Sequence, residues 1–206
     1  MYIADRYANT DQQDIENFIR QNSFGILVNQ TDGKLWATHI PLELEINDKG
    51  QRVLCGHIAK ANNQWKGFAD NDRVLAIFSG PHAYISSSWY DFENVPTWNY
   101  SAVHVYGTAR IIEGDELVAH LTKLVDKYEA ASENPVSVAG FSKKTMMQVR
   151  GIVGFEIVVS DIQAVRKLSQ NRDEKNFHSI ISELEKTGNP DAVAVAQDMK
   201  KCPFEK

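Results

Sequence analysis

The sequence predicts an α+β protein, an antiparallel β-barrel decorated by helices. Three observations carry that expectation. Short strand-like runs follow one another through tight turns such as Thr31-Asp32-Gly33 and Asn47-Asp48-Lys49-Gly50. Strands do not alternate regularly with helices, which argues against a doubly wound parallel sheet. One long run, from Tyr100 to Ile112, keeps a two-residue period throughout. At 206 residues the chain has the length of one large β-rich domain.

Taken in order, Thr10 with Gln13 three residues later has the form of a capping box. Ile15, Phe18 and Ile19 follow on one helical face, so a first helix is expected to about Asn22. FGILVNQ, KLWATHI, LELEI and QRVLCGH then read as a meander, with Leu42, Leu44 and Ile46 alternating. After His57 the period changes: Ile58, Ala61, Trp65 and Phe68 predict a short helix closed by Asp70-Asn71-Asp72, before the strand RVLAIFSG. In the long strand Val103, Val105, Gly107, Ala109 and Ile111 share one face, and His104, Tyr106, Thr108 and Arg110 the other.

Leu117, Leu121, Leu124 and Tyr128 predict an amphipathic helix starting near Asp115. SKKTMMQV reads as another short helix, GIVGFEIVV and DIQAVRKL as strands. Phe177, Ile180, Ile181 and Leu184 mark a helix stopped at Gly188, and Asn189-Pro190 opens the last one. The expected organisation is a barrel domain over residues 1–170 with a C-terminal helical extension, 171–206, on the same domain.

Composition excludes several classes. With 43% hydrophobic and 24% charged residues the chain is an ordinary globular one, neither collagen-like nor mostly disordered. Apolar runs such as Val74 to Phe78 are far shorter than the ~20 residues of a membrane helix. The start, MYIADRYANTDQQD, lacks an apolar block before a cleavage site, so a cytoplasmic protein is expected. Cys55 reads as a buried small residue and Cys202 as an exposed thiol, with no disulfide. The formal net charge of −5 gives no electrostatic footprint for DNA, and direct DNA binding is not expected.

Three stretches are unusually polar and aromatic for strand regions: residues 37–42, 56–65 and 80–107. In GHIAKANNQW a strand ends in Gly and a helix would begin around Lys60, Asn62 and Asn63. Backbone N–H groups, a helix dipole and an ammonium there suit a phosphate, although an ordinary strand-helix junction has the same appearance. His39, His57, His82 and His104 have no metal-ligand spacing, and no metal site is expected. Ser86, Ser87 and Ser88 form no GxSxG elbow, which argues against a hydrolase.

ATHIPL, GHIAKANNQW, LAIFSGPHAYISSSWY, VPTWNYSAVHVYG, IVGFEI and KLSQNR occur in one order along residues 1–175, and on them the chain resembles the PaiB family. Its members are described as FMN-binding negative transcriptional regulators with a flavin-binding split barrel. The chain departs from the family pattern at Leu35, Asn63 and Ser87, where proline is usual, and at Val136, where a tryptophan is usual.

The resemblance implies an FMN-binding split β-barrel, antiparallel and Greek-key-like, that acts as a homodimer with FMN at the subunit interface. It places Thr38 and His39 on one phosphate-side strand, His57, Lys60 and Asn62 on the next strand and turn, and Trp65 behind them. Trp98, Asn99 and Tyr100, with Ser169, Gln170 and Asn171, are the residues it implies for the ring end or its cross-subunit wall. No side chain is forced into an acid-base or nucleophilic role, so redox chemistry would belong to the flavin. A flavin-dependent oxidoreductase and a haem-binding or haem-degrading split barrel stand as alternatives to a transcriptional regulator.

Overall fold

The computed structural model describes residues 1–68 and 73–202. It contains seven strands: β1 Phe24–Thr31, β2 Lys34–Pro41, β3 Glu43–Ile46, β4 Arg52–Ala59, β5 Arg73–Ile85, β6 Thr97–Ile112 and β7 Ile152–Lys167. The helices that lie wholly within the described residues are α1 Gln12–Gln21, α2 Gly114–Glu129, α3 Lys143–Met146, α4 Glu174–Lys186 and α5 Pro190–Lys201. The strands form one sheet in the order β2-β1-β5-β6-β7-β4-β3. Two compact units divide the chain. One comprises Met1–Phe18, Ser79–His104 and Gln163–Lys206, the other Ile19–Phe78 and Val105–Ile162.

The second unit holds the meander. β1 and β2 pair in antiparallel register from Phe24↔Pro41 to Thr31↔Lys34, leaving Asp32-Gly33 as a two-residue turn. Both have positive φ, 52° and 73°, as a turn matched to the strand twist requires. β3 pairs with β4, and β4 with β7, so Glu43, Cys55 and Glu156 lie side by side across three strands. β2 and β4 are also in contact, which curls the meander.

One face of β4 supplies Leu54, Gly56 and Ile58 to a core with Leu27, Leu42, Phe155 and Ile157. Phe68 meets Phe155 edge-on at 5.2 Å. The other face, Val53, Cys55 and His57, borders a cleft shared with His120 of α2. Being covered on both sides explains why Val53, Leu54, Cys55 and Gly56 are buried in succession without polar alternation. A Cβ at Gly154 would run into Leu117 and Ile112, so this glycine lets α2 lie close on β7.

In the first unit α4 and α5 bury Phe177, Ile180, Leu184, Val195 and Met199 against Ala83, Ile85, Tyr90 and Leu168. Asp173 caps α4 by accepting from Asn176 N, and Asn189 caps α5 by accepting from Asp191 N and Ala192 N. Pro190 occupies the first helical turn, where its missing N–H costs nothing.

The structure corrects several expectations. The cap of α1 is Asp11, whose Oδ1 accepts from Asp14 N at 3.0 Å, not Thr10. Ile58 belongs to β4, and the segment after it is a four-residue 3₁₀ turn, Asn63–Lys66, not an α-helix starting near Lys60. The expected closure at Asp70-Asn71-Asp72 lies outside the described residues. GIVGFEIVV and DIQAVRKL form one strand, and β5 continues through Pro81 to Ile85. The alternation of β6 changes phase near its end, burying Ile112 and leaving Ile111 37% exposed. Cys202 is half-buried beside the α4–α5 core.

Candidate functional site: the junction after β4

β4 ends at Ala59, and the chain turns on Asn62 N donating to Ala59 O at 2.8 Å. The next residues need a stop signal and a cap. Asn62 supplies the cap, its Oδ1 accepting from Gln64 N at 3.1 Å. Its Nδ2 donates to Thr38 Oγ1 at 2.9 Å, and the Thr38 hydroxyl donates to Gln64 Oε1. Gln64 is fully buried, and its Nε2 donates to Leu27 O at 2.9 Å. Gln64 O accepts from Asn29 Nδ2 at 3.2 Å and Thr31 Oγ1 at 3.3 Å. Thr38, Asn62 and Gln64 are thereby one connected polar rim, held on strands at both ends.

Lys60 N donates to Gly151 O at 2.8 Å, and Lys60 O accepts from Trp65 Nε1 at 3.0 Å. The backbone of Lys60 is fixed while its side chain is exposed and, among the described residues, forms no ion pair. His39 follows Thr38 on β2 and so projects to the opposite face. It lies against Phe24, ring centroids 6.4 Å apart, and is not part of the Thr38–Asn62 rim. His57 meets His120 edge-on at 5.8 Å.

Under α2 the same unit holds a polar chamber. Burial, then the neighbouring His57, pushes the His120 pKa down to about 4. Burial, then Glu45, pushes the Cys55 thiol up to about 12. Both groups are therefore neutral at physiological pH. Arg110 closes one side, bridging Glu156 Oε1 at 2.9 Å and Glu116 Oε2 at 3.0 Å.

The second group of expected residues lies in the other unit. Asn99 is fully buried; its Oδ1 accepts from Ser169 Oγ at 3.0 Å and its Nδ2 lies 3.6 Å from Met199 Sδ. Gln170 Oε1 accepts from Leu168 N at 2.8 Å, while its Nε2 donates to Arg166 O at 2.7 Å and Arg6 O at 3.2 Å. Asn171 Oδ1 accepts from Tyr7 at 3.2 Å. These amides hold the turn at Ser169, whose φ is 59°. Trp98 is different: it is 52% exposed, beside Tyr84 and His82. Tyr100 is half-buried.

Residues 1–161 match the family described as "Putative FMN-binding domain". The chain belongs to this FMN-binding family, and its type is that of PaiB. It is 47% identical over 201 residues, 97% of either chain, to "Protease synthase and sporulation protein PAI 2" of Bacillus subtilis strain 168. It is 27% identical over 239 residues, 95% of either chain, to uncharacterized protein AN0679 of Emericella nidulans.

Two solved structures share the fold of this PaiB-type chain. One is the FAD and heme binding protein from Mycobacterium smegmatis, with a TM-score of 0.61 at 12% identity, covering 84% of this chain and 79% of that one. The other is the flavocytochrome Anf3 from Azotobacter vinelandii, with a TM-score of 0.59 at 15% identity, covering 86% and 78%. The split-barrel fold expected from the sequence is thus the observed one, and FMN is the cofactor of the family.

The donor chemistry of the PaiB-type chain at the β4 junction fits a flavin phosphate. Lys60 offers a positive charge with three N–H donors, and Asn62 one amide N–H beyond the bond to Thr38. Where the sequence suggested a helix beginning near Lys60, the described residues open instead with a four-residue 3₁₀ turn, Asn63–Lys66. Sequence reasoning missed Gln64, which organises the rim. Its only signal is its place between Asn62 and Trp65 in a polar motif.

Proposed function

We propose that the chain binds FMN with its phosphate at the β4 junction and with a second copy of the chain covering the ring end. The carrying observation is the Thr38–Asn62–Gln64 rim with Lys60 beside it: rigid donors and one mobile charge, as a dianionic group requires. His57 and Trp65 support the same junction, one from β4 and the other through Lys60 O. Bound FMN supplies reversible electron or hydride transfer; the protein's part is to hold and orient it.

A homodimer is supported by the apolar side chains left in water. Leu35 is 83% exposed on β2, a strand at the edge of the sheet, and Trp98 is half-exposed beside Tyr84. Trp98 and Tyr100 are the candidates for the ring wall, since the Asn99, Ser169 and Gln170 side chains are spent within the fold. Neither cysteine forms a disulfide, in keeping with work in the cytoplasm. No helix among the described residues is long and apolar enough to cross a membrane.

Flavin titration tests the phosphate site. Lys60→Ala is expected to weaken FMN by roughly 10- to 150-fold, the loss of one charge-assisted hydrogen bond, while leaving riboflavin nearly unchanged. Equal losses for both ligands would remove Lys60 from the phosphate. Purified protein should show two visible flavin bands; a Soret band would instead favour haem. Light scattering that gave 23.2 kDa for the FMN complex would exclude the shared site.

A further inference from the structure

The chamber beneath α2 differs in chemistry from the β4 junction and meets it only at His57, which lies edge-on to His120. It is a cleft of about 560 Å³ bordered by the β3–β4 turn, β4, β6, β7 and α2. Cys55 and His120 are 7% and 4% exposed. Both ring nitrogens of His120 are buried without a hydrogen-bond partner, an arrangement that costs free energy unless something else occupies them. A carboxylate oxygen of Glu45, the Cys55 sulfur and a His120 nitrogen all lie within 4.8 Å of one another.

We propose that Glu45, Cys55 and His120 bind one divalent transition-metal ion of the zinc class, with water as the fourth ligand. Sulfur, imidazole nitrogen and carboxylate oxygen together are the donor set of zinc and cobalt, not of magnesium or calcium. Tetrahedral bonds of about 2.2 Å would put the ligand atoms about 3.6 Å apart, within reach of small rotamer changes from the present spacing. Three protein ligands leave one position open, as in sites where the ion keeps a water.

Charge balances as well. A thiolate and a carboxylate neutralise a divalent ion, the thiol proton leaving to solvent on binding. At present the Glu45 carboxylate pairs with the Lys123 ammonium at the mouth of the cleft. Lys123 is 64% exposed in that pair, so it can withdraw into water when an ion takes its place. His57 lies edge-on to His120 at 5.8 Å and restrains its ring. Neither the Cys-x-x-Cys nor the His-x-x-x-His pattern is needed, because β3, β4 and α2 each supply one ligand.

The experiment is cobalt and zinc titration of chelator-treated full-length protein carrying Cys202→Ser, which leaves Cys55 as the sole thiol. One equivalent of Co²⁺ is expected to produce thiolate-to-cobalt charge-transfer absorption and tetrahedral visible bands, both displaced by Zn²⁺. Cys55→Ser should abolish the charge-transfer band, and His120→Gln and Glu45→Gln should each weaken Co²⁺ at least tenfold.

Lys123→Ala should hold Co²⁺ as tightly as the parent or tighter, since it removes a competing cation. This variant alters an exposed side chain and keeps the test alive if a buried substitution unfolds the protein. Absence of one-to-one binding in the parent, or weaker binding in Lys123→Ala, would overturn the site. So would an unchanged cobalt spectrum in folded Cys55→Ser or His120→Gln. No readout involves flavin, so failure here leaves the FMN site standing, and the reverse.

Discussion

Asn62 Nδ2 donates to Thr38 Oγ1 across 2.9 Å, tying β2 to the turn that follows β4. The same side chain caps that turn. Asn62→Ala removes both bonds and should cost about 1–2 kcal/mol of stability, the usual loss for a cap. Urea unfolding measures this, and an unchanged midpoint would show that the rim is held by Gln64 alone. FMN affinity should fall as well, because Thr38 loses its anchor.

Glycines provide a paired test. A Cβ at Gly107 would meet Val158 O and Ile157 Cγ2, backbone and packed side chain that cannot both retreat. Gly107→Ala should therefore destabilise by about 1–3 kcal/mol. Gly151 has open space around its missing Cβ, so Gly151→Ala should be neutral or stabilise by about 0.4–1 kcal/mol through the unfolded chain. Thermal unfolding that ranked the two the other way would contradict the observed β6–β7 approach.

Thiol access separates the two cysteines. Cys55 is 7% exposed, whereas Cys202 is half-buried at the end of α5. Mass spectrometry after brief alkylation in chelator should find one adduct on the native protein, at Cys202, and two in denaturant. Rapid native labelling of Cys55 would mean that the cleft opens.

Acid should loosen the helical cluster. Lys175, then Asn176, holds the Asp91 carboxyl below its ordinary pKa, and the Asn176 backbone N–H does the same for Asp173. Groups depressed in the folded state stabilise it above their unfolded pKa, and that contribution is lost as pH falls through the folded values. The melting temperature should therefore drop below pH ~4, and less steeply in Asp91→Asn. Equal slopes would show that this pair adds nothing.

DNA binding has little to work with. Arg166 pairs with Asp14 at 2.8 Å, Lys167 donates to Thr97 Oγ1, and Arg172 lies over the Tyr90 ring at 5.0 Å. Lys143, Lys144 and Arg150 are exposed, but three charges stand against a net −5. No shift of random duplex DNA is expected at micromolar protein in ~0.15 M salt. A salt-sensitive complex lost on reversing Lys143 and Lys144 would make direct repression the leading role.

Much of the meander was legible because turn chemistry and alternation are local. Asp32-Gly33 can adopt positive φ, and Leu42 and Leu44 alternate into the core. Buried polar groups were not legible, since their partners are distant in sequence. Gln64 is satisfied inside by Leu27 O, 37 residues away, and by the Thr38 hydroxyl, 26 residues away. His120 shares the inward arc of α2 with Leu117, but apolar periodicity counts leucines and passes over an imidazole. Conversely, Asn99, Ser169 and Gln170 look like ligand groups in the motif, yet their hydrogen bonds close a turn.

The two units also differ in when they can exist during synthesis. Everything needed for the meander unit has been made once Ile162 emerges, and its β1–β2 hairpin, closed by two residues, can form in microseconds. The other unit draws on the first residues, a middle segment and the last helix, whose Met199 is fully buried. Its opening segment must wait, unburied, until the helix that carries Met199 has been made. A nascent chain from which Ile162 has emerged but Met199 has not would therefore carry the β4 junction completed, with Asn99 and Tyr90 still without their C-terminal cover.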